Sequence, residues 1–201
     1  MNPNTTAVIL VGYQNDYFDR DGLLHQVFEE SSTIHNVITN TVKFIKQLPT
    51  STLVIATPIH FTPTYEELID PVGILKNIKD AGALQAGNKG SQMTTELLPF
   101  ASQILEIQGK RGFNAFAYTD LHQVLQANQI KDIAIAGAIT SICIDSTGRA
   151  AQELGYQVSI LSDCTAARTV FEQEFYCENI FPIYSNVITH QKMLDSFKVM
   201  Q

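Results

Sequence analysis

The stretch GAITSICIDSTGR, residues 137–149, places Cys143 where an apolar strand ends and a helix begins. Backbone N–H groups at the start of a helix are unpaired and the helix dipole is positive there, so a thiolate is stabilised. The same N–H groups can hold the oxyanion of a tetrahedral acyl intermediate. A cysteine in an apolar stretch is nevertheless more often a small core residue. The choice between a core residue and a reactive thiolate therefore depends on the other polar segments of the chain.

Two further polar segments follow strand-like runs. GYQNDYFD comes after the first run and contains Asp16, and GKRGFNAFAYTDL comes after the run near residue 105 and contains Lys110. Carboxyl ends of parallel strands meet at one edge of a sheet, so the three segments are expected to converge there. Lys110 can then add positive charge beside Cys143, although a solvated surface lysine is the commoner interpretation of that residue type alone.

The elements that must position these groups alternate along the chain. Four apolar, β-branched runs and two weaker ones read as strands, and four segments of helical pattern lie between them. The strands are nearly continuous in their apolar residues, which is typical of a parallel sheet buried on both faces. The pattern predicts a doubly wound α/β sheet with right-handed crossovers. The predicted strands are 6–12, 51–57, 102–109, 131–138, 156–163 and 184–189, and the predicted helices are 31–48, 119–129, 142–155 and 169–181.

Length and composition exclude several classes of function. With 201 residues, 45% of them hydrophobic, the chain is expected to form a single domain, 1–201. A net charge of −7 without a Lys/Arg cluster argues against nucleic acid as a partner. The apolar run 7–11 is far shorter than a membrane span, so no membrane association is expected.

The cysteines indicate the compartment. Three cysteines make an odd number, and the N-terminus has neither the basic start nor the long apolar segment of a secretory signal. Reduced thiols and a cytoplasmic location are therefore predicted. None of the cysteines has the spacing of a zinc site, so no metal is expected.

Residues 61–101 interrupt the alternation of strands and helices. Proline and glycine recur through this segment, and a loop-rich insert of that length is uncommon in a compact domain unless it is functional. We interpret it as a lid or as an oligomer contact. A homo-oligomer is accordingly predicted.

Three ordered motifs, taken together, resemble the isochorismatase-like cysteine hydrolase superfamily over nearly the whole chain. The first is QNDYF (14–18) after an apolar strand, and the second is KRGFNAF followed by TDL (110–116 and 119–121). The third is GAITSIC followed by STGRAAQELGYQVSILSDCTAAR (137–143 and 146–168). The resemblance implies a three-layer α/β sandwich around a six-stranded, mainly parallel sheet.

The resemblance also implies roles for individual residues. The family uses an Asp–Lys–Cys triad, in which Cys143 falls on the nucleophile and Lys110 on the lysine. A non-proline cis peptide is implied between Ala138 and Ile139. The N–H groups of Ile139 and Cys143 would then form the oxyanion hole.

The chain departs from the family pattern at two positions. The aspartate of the triad usually stands two residues before the glutamine of QND, and here that residue is Gly12. The Asp and His that bind metal in nicotinamidase-type members are represented only by His60, which argues against nicotinamidase activity. A proton carrier could instead be Asp16, which in the family is usually structural, or His60, whose free pKa near 6.5 suits proton transfer. Neither is selected by the sequence.

Aromatic residues of the same loops are the predicted substrate contacts, together with His60, although several of them must belong to the core. They are Tyr13, Tyr17, Phe18, Phe61, Phe116 and Tyr176.

Two functions from different classes follow. The first is a hydrolase of a small amide or related C–N substrate through a cysteine acyl-enzyme, without a cofactor or metal. The second is a catalytically impaired small-molecule-binding or regulatory protein on the same fold, which Gly12 motivates directly. A redox role of Cys143 with another cysteine is a weaker third alternative.

Overall fold

A computed structural model describes residues 1–29 and 31–198. Six strands form its sheet, and every pair of neighbouring strands is parallel, in the order β3-β2-β1-β4-β5-β6. The six-stranded α/β prediction is confirmed. The strands are β1 Thr6–Val11, β2 Leu53–Thr57, β3 Ile104–Glu106, β4 Asp132–Ala138, β5 Gln157–Ala166 and β6 Asn186–Ile188.

Helices cover both faces of the sheet, as right-handed crossovers between parallel strands require. Seven α-helices are described: α1 Asn15–Phe18, α2 Ser31–Gln47, α3 Gly73–Ala81, α4 Leu121–Ala127, α5 Asp145–Glu153, α6 Val170–Phe175 and α7 His190–Lys198. The segment that precedes α5, Thr140–Ile144, is a π-helical turn, and a second π turn, Tyr176–Ile180, follows α6.

The helix predicted over 142–155 therefore begins with a π turn in the structure. The carbonyl of Ile139 accepts hydrogen bonds from the N–H groups of Ile142 (3.0 Å) and Ile144 (3.2 Å). The bond that spans five residues widens the first turn into a π-type turn. Cys143 thus lies in this wide turn rather than in the first turn of α5.

Two apolar cores lie on the two faces of the sheet, and β1 contributes to both because its side chains alternate. Val8 and Leu10 face the core built with α2, α7 and the insert. Ala7 and Ile9 face the core built with α4 and α5. Burial on both faces explains why the strands read as continuous apolar runs.

The insert 61–101 is packed into the first core rather than standing apart from it. It contains α3 and two 3-10 segments, Lys89–Ser91 and Thr95–Gln103. Phe61, Leu84 and Leu97 are fully buried. Within the described residues, no helix is long and apolar enough to cross a membrane.

Candidate active site

The site lies where the strand order reverses. Chain connections run from β1 to one side of the sheet and from β4 to the other, so the carboxyl ends of these two neighbours open a crevice. Val11 at the end of β1 is level with both Thr57 of β2 and Gly137 of β4. The loops that follow the three strands therefore emerge at the same height.

A glycine is required where β4 passes β1 at this level. Gly137 has a φ of +126°, and a Cβ at this position would lie 1.8 Å from the Val11 carbonyl oxygen. Any side chain would separate the two strands at the point where their loops begin. The close approach brings the end of β4, and with it Cys143, against the loop that follows β1.

Hydrogen bonds to neighbouring elements hold the turn that carries Cys143. Thr140 Oγ1 donates to Gln173 Oε1 at 2.6 Å, and Ser141 Oγ donates to Glu172. Both acceptors belong to α6. The wide turn is thereby fixed between the end of β4 and α6, and Cys143 keeps a defined position.

Lys110 lies in the loop that follows β3, and its side chain reaches Cys143. Its backbone forms a parallel bridge with Ile59, which lies just beyond β2, and its Nζ lies 3.7 Å from Cys143 Sγ. Nζ also donates a hydrogen bond to the Gly112 carbonyl. The Lys110 side chain is 2% exposed and Cys143 is 7% exposed. The structure thus brings together the two residues that the motifs placed on nucleophile and lysine.

Burial of Lys110 lowers its pKa, because the ammonium loses its water shell. The negative charge and hydrogen bond of Cys143 act in the opposite direction. An amine whose neutral form has become accessible can accept a proton as well as stabilise a negative sulfur. Lys110 alone can therefore serve as a proton acceptor and as the cation beside the sulfur.

Cys143 opens into a small apolar cavity beneath α3. The open space is about 10 Å³, which is room for about one water molecule. Three side chains of α3 form its roof, and the loop after Lys110 forms one wall. Its lining consists of Tyr17, Ile59, Ile74, Leu75, Ile78, Gly112, Phe113, Ile139, Ile142 and Cys143.

An open groove of about 590 Å³ adjoins this cavity. Leu75, Gly112 and Phe113 line both spaces, so the groove and the cavity are neighbours. The helix α3, which belongs to the insert, thus covers Cys143 from one side.

Asp16 lies in the loop after β1, but its carboxylate is used by backbone groups. Oδ2 accepts a hydrogen bond from the N–H of Leu84 at 2.6 Å, and Oδ1 accepts one from Leu23 at 3.3 Å. The carboxylate also lies against the backbone of Gly90. Asp16 thus ties the insert to the loop that follows β1.

His60 is held at both ring nitrogens. Nδ1 lies 2.7 Å from Gln108 Oε1, and Nε2 lies 3.0 Å from the Ser91 carbonyl, which it donates to. Both ring nitrogens of His60 are thus occupied by polar groups of neighbouring segments. His60 is not part of the cavity lining described above.

Of the predicted aromatic contacts, Tyr17 alone belongs to the lining described for the cavity. Tyr13 stacks on Phe18 at 4.9 Å, and its hydroxyl pairs with Thr41 at 2.6 Å. The remaining three pack elsewhere: Phe61 against Tyr65, Phe116 against Tyr156, and Tyr176 against Phe181.

Comparison with known proteins decides the family. The model of the isochorismatase domain matches residues 6–192. The chain belongs to the isochorismatase family.

Individual relatives agree with this assignment. The isochorismatase family protein YddQ of Bacillus subtilis, itself uncharacterised, is 25% identical over 169 residues, 83% of this chain and 80% of that protein. A cysteine hydrolase from Pseudomonas syringae pv. phaseolicola has a TM-score of 0.88 at 20% identity, covering 100% of this chain and 96% of its own. N-carbamoylsarcosine amidase from Thermoplasma acidophilum has a TM-score of 0.71 at 20% identity, covering 94% and 97%. At these identities the two structures establish the shared fold.

Gly12 occupies the position of the aspartate expected in the isochorismatase family. Its φ is +72°, in the left-handed region that favours glycine. A Cβ at Gly12 would lie 2.8 Å from the Ala138 carbonyl oxygen, closer than real Cβ atoms approach backbone. The peptide bond from Ala138 to Ile139 is cis, as the family resemblance implied. A carboxylate therefore does not fit at position 12 unless the backbone moves.

The substitution Gly12→Asp is expected to lower the free energy of unfolding and to give no gain in hydrolysis. A left-handed φ at a residue other than glycine costs about 1–3 kcal/mol, and the contact with Ala138 adds to it. Urea denaturation measures the loss, and Gly12→Ala is the matched control because it carries the same strain without a carboxylate. Wild-type stability together with increased turnover in Gly12→Asp would contradict the expectation.

One cluster outside the site has metal-ligand chemistry. Asp163, Cys164 and His190 bring ligand atoms within 4.8 Å of one another, at the end of the sheet beside α7. Asp163 accepts hydrogen bonds from His190 Nδ1 at 2.7 Å and from the His190 N–H at 2.8 Å. Burial raises the pKa of Cys164, which keeps its thiol protonated. Asp163 thus caps the start of α7 and holds the His190 ring.

The residues that sequence reasoning missed are those of the cavity roof. Ile74, Leu75 and Ile78 lie on one face of α3, a spacing that is typical of an amphipathic helix. This signal was present in GILKNIKDA but was short and lay among prolines and glycines. Phe113 belongs to the motif KRGFNAF, whose pattern does not indicate that this ring lines the cavity.

Proposed function

We propose that this isochorismatase-family chain hydrolyses a small amide or related C–N bond through an acyl-enzyme on Cys143. The observation that carries the proposal is the 3.7 Å contact of Lys110 Nζ with Cys143 Sγ, beside the apolar cavity that Cys143 lines. Burial of the Lys110 ammonium beside the Cys143 thiol costs free energy, because both polar groups lose contact with water. A buried group with a shifted pKa, here Lys110, is typical of catalytic sites.

Lys110 takes the role of base in this proposal. Its neutral amine accepts the thiol proton of Cys143, and the sulfur forms a bond to the substrate carbonyl carbon. The C–N bond then breaks, and the leaving nitrogen receives the proton from the Lys110 ammonium. Amine or ammonia departs, and the acyl group stays on sulfur as a thioester.

Water completes the cycle. The Lys110 amine accepts a proton from the attacking water, whose oxygen bonds to the thioester carbon. The C–S bond breaks, the sulfur regains the proton from Lys110, and a carboxylic acid leaves. No organic cofactor or metal enters either step.

The backbone beside the nucleophile is assigned to the oxyanion. The N–H groups of Ile139 and Cys143 stabilise the negative oxygen of each tetrahedral intermediate. We assign Asp16 to positioning, because both of its carboxylate oxygens accept backbone N–H groups. The fold shared with an N-carbamoylsarcosine amidase supports a small substrate with a C–N bond.

A panel of small amides, ureido acids and cyclic imides tests the proposal. Each compound is incubated with the purified protein, quenched in acid, and the intact mass of the protein is measured. We expect a mass increase equal to the acyl group, located on the Cys143 peptide, for at least one member. Turnover of a panel member without any adduct at Cys143, even after rapid quenching, would contradict the acyl-enzyme.

A catalytically impaired binding or regulatory protein is the second candidate. It is favoured by Gly12 and by the closed roof of the cavity, which leaves room for about one water. The pH dependence of thiol alkylation separates the two. Reaction of Cys143 at pH about 6 supports catalysis, whereas a profile centred near the free-cysteine value of about 8.5 supports binding.

A further inference from the structure

A bulge in β5 turns two consecutive side chains toward the same point. The register of β4 with β5 shifts between Ile135 and Gly137, where β5 carries extra residues. Neighbouring residues of a regular strand point to opposite faces of the sheet. Beside this irregularity, Cys164 Sγ instead lies 3.8 Å from Asp163 Oδ1. A bulge that re-aims side chains in this way is typical of a functional position.

The third side chain of the cluster comes from the start of α7. His190 Nδ1 lies 2.7 Å from Asp163 Oδ2, and one ligand atom from each of Asp163, Cys164 and His190 lies within 4.8 Å of the other two. The His190 ring also packs edge-on against Phe44, with 6.3 Å between the ring centroids. Asp163 and His190 are 27 residues apart in the sequence. The cysteine spacings, from which no metal was expected, therefore do not record this convergence.

Capping of α7 explains only part of the arrangement. The cap needs one carboxylate oxygen, and Asp163 Oδ1 supplies it by accepting the His190 N–H at 2.8 Å. A cap requires neither a thiol at residue 164 nor an imidazole at residue 190. A carboxylate has about four lone-pair sites on its two oxygens, so Asp163 can keep the cap and bind a further group.

The three donors form a set that zinc uses. Zn²⁺ binds Cys sulfur, His nitrogen and Asp oxygen at about 2.0–2.3 Å, so its ligand atoms lie roughly 3.3–3.5 Å apart in a tetrahedron. The distance of 3.8 Å from Cys164 Sγ to Asp163 Oδ1 is close to this spacing. The distance from His190 Nδ1 to Asp163 Oδ2 has to lengthen by roughly 0.6 Å, as a metal takes the place of the proton between them.

Charge and access both favour a divalent ion at this place. Cys164 is fully buried, whereas the side chains of Asp163 and His190 are 28% and 13% exposed. An ion therefore arrives from the side of these two residues, where a water molecule can take the fourth position. A thiolate and a carboxylate together cancel the two positive charges of the ion. The complex with a neutral imidazole is thus uncharged, which avoids the cost of burying a net charge.

Neighbouring elements hold the backbone of the two strand ligands. The Asp163 carbonyl accepts a hydrogen bond from Asn40 Nδ2 at 2.9 Å, and the Cys164 carbonyl accepts one from the Tyr13 hydroxyl at 3.1 Å. Groups outside the ligand shell that fix the ligands in this way are typical of metal sites.

We propose that Asp163, Cys164 and His190 form a binding site for a thiophilic divalent metal ion, of which Zn²⁺ fits the donor set best. Binding releases the thiol proton of Cys164 to water, and neutral His190 keeps its single ring proton on Nε2. The ion joins β5 to α7 and stabilises the folded chain. Cys164 belongs to the core on the opposite face of the sheet from that of Cys143, so the inference does not depend on the proposed hydrolysis.

Cobalt titration of the chelator-treated protein tests the site. Co²⁺ accepts the same ligands as Zn²⁺, and a cobalt–thiolate bond absorbs in the near ultraviolet. We expect one Co²⁺ to bind per chain with this absorption, and one equivalent of Zn²⁺ to remove it. A protein that shows no such absorption at saturating Co²⁺ would overturn the inference.

Variants then locate the ion. Cys164→Ser is expected to abolish the absorption, and His190→Gln is expected to weaken Co²⁺ binding by more than the 10- to 100-fold that changes outside a ligand shell cost. Cys143→Ser and Cys177→Ser are the matched controls, which are expected to keep the absorption and the affinity of the wild type. Thermal unfolding checks that each variant is folded, and His190→Gln, which keeps the backbone N–H of the cap, remains decisive if Cys164→Ser is not.

Three results would each contradict the site. They are absorption that persists in Cys164→Ser, absorption that is lost in Cys143→Ser, and an affinity of His190→Gln equal to that of the wild type.

Discussion

Replacement of Cys143 by alanine is expected to lower turnover of any accepted amide by at least about 10⁴-fold, because removal of a nucleophile costs this much or more in related mechanisms. The acyl adduct is expected to disappear as well. Cys143 is buried with a small side chain, so alanine leaves the fold almost unchanged. Initial rates with the best substrate of the panel measure the loss, and thermal unfolding checks that the variant is folded.

Cys177→Ala is the control for this experiment. Its sulfur accepts a hydrogen bond from Gln173 at 3.4 Å and is not among the groups that line the cavity. We expect its turnover to stay within about twofold of the wild type. Turnover that persists in Cys143→Ala would contradict the nucleophile, and turnover lost in both variants would favour the redox alternative.

Replacement of Lys110 by methionine is expected to lower kcat by about 10²- to 10⁴-fold, the range ordinarily contributed by a general acid–base. The thiol then lacks both its proton acceptor and the cation beside the thiolate. The alkylation midpoint of Cys143 is expected to move upward toward the free value of about 8.5. Steady-state rates and the alkylation profile measure the two effects independently.

Lys89→Met is the matched control, because Lys89 is an exposed lysine that pairs with Asp19 at 2.8 Å on the surface. Surface pairs of this kind contribute about 0–1 kcal/mol, and no change in the Cys143 midpoint is expected. If Lys110→Met kept both the midpoint and kcat of the wild type, the proposed base would be wrong.

The difference in stability between the wild type and Lys110→Met should depend on pH, because methionine binds no proton. Because the pKa of folded Lys110 is lowered, the unfolded chain binds more protons between that value and the unfolded pKa of about 10.4. The free energy of unfolding of the wild type therefore rises with pH through this window, relative to the variant. Urea denaturation at several pH values measures the difference.

The fold was predictable from sequence because its signals are local and repeated. The run AVILV at residues 7–11 is apolar at every residue, which is typical of a strand buried on both faces, and the structure places it in the centre of the sheet. The cysteine and lysine were located by motifs with several fixed residues. The placement of Lys110 Nζ against Cys143 Sγ follows from the loops after β3 and β4, which meet at the carboxyl edge of the sheet although β2 and β1 separate the two strands.

Which aromatic ring faces the nucleophile could not be predicted. Tyr13 and Tyr17 lie in the same motif, but Thr41 of α2 takes the Tyr13 hydroxyl, across 28 residues of sequence. The roof could not be predicted because α3 is a helix of 9 residues that begins at Gly73 and is followed by Gly82, within a segment whose composition indicates loop. The conformation of Gly12 depends on the approach of Ala138, which no local pattern records.

The roof of α3 over Cys143 determines how this thiol meets oxidants. Hydrogen peroxide is only slightly larger than water, so we expect it to reach the sulfur after small movements of Leu75 or Phe113, which line both the cavity and the groove. Glutathione disulfide, a branched peptide many times larger, cannot enter until the helix is displaced. Sulfenic acid should therefore form on Cys143 more readily than a mixed disulfide, and bound substrate should protect against both.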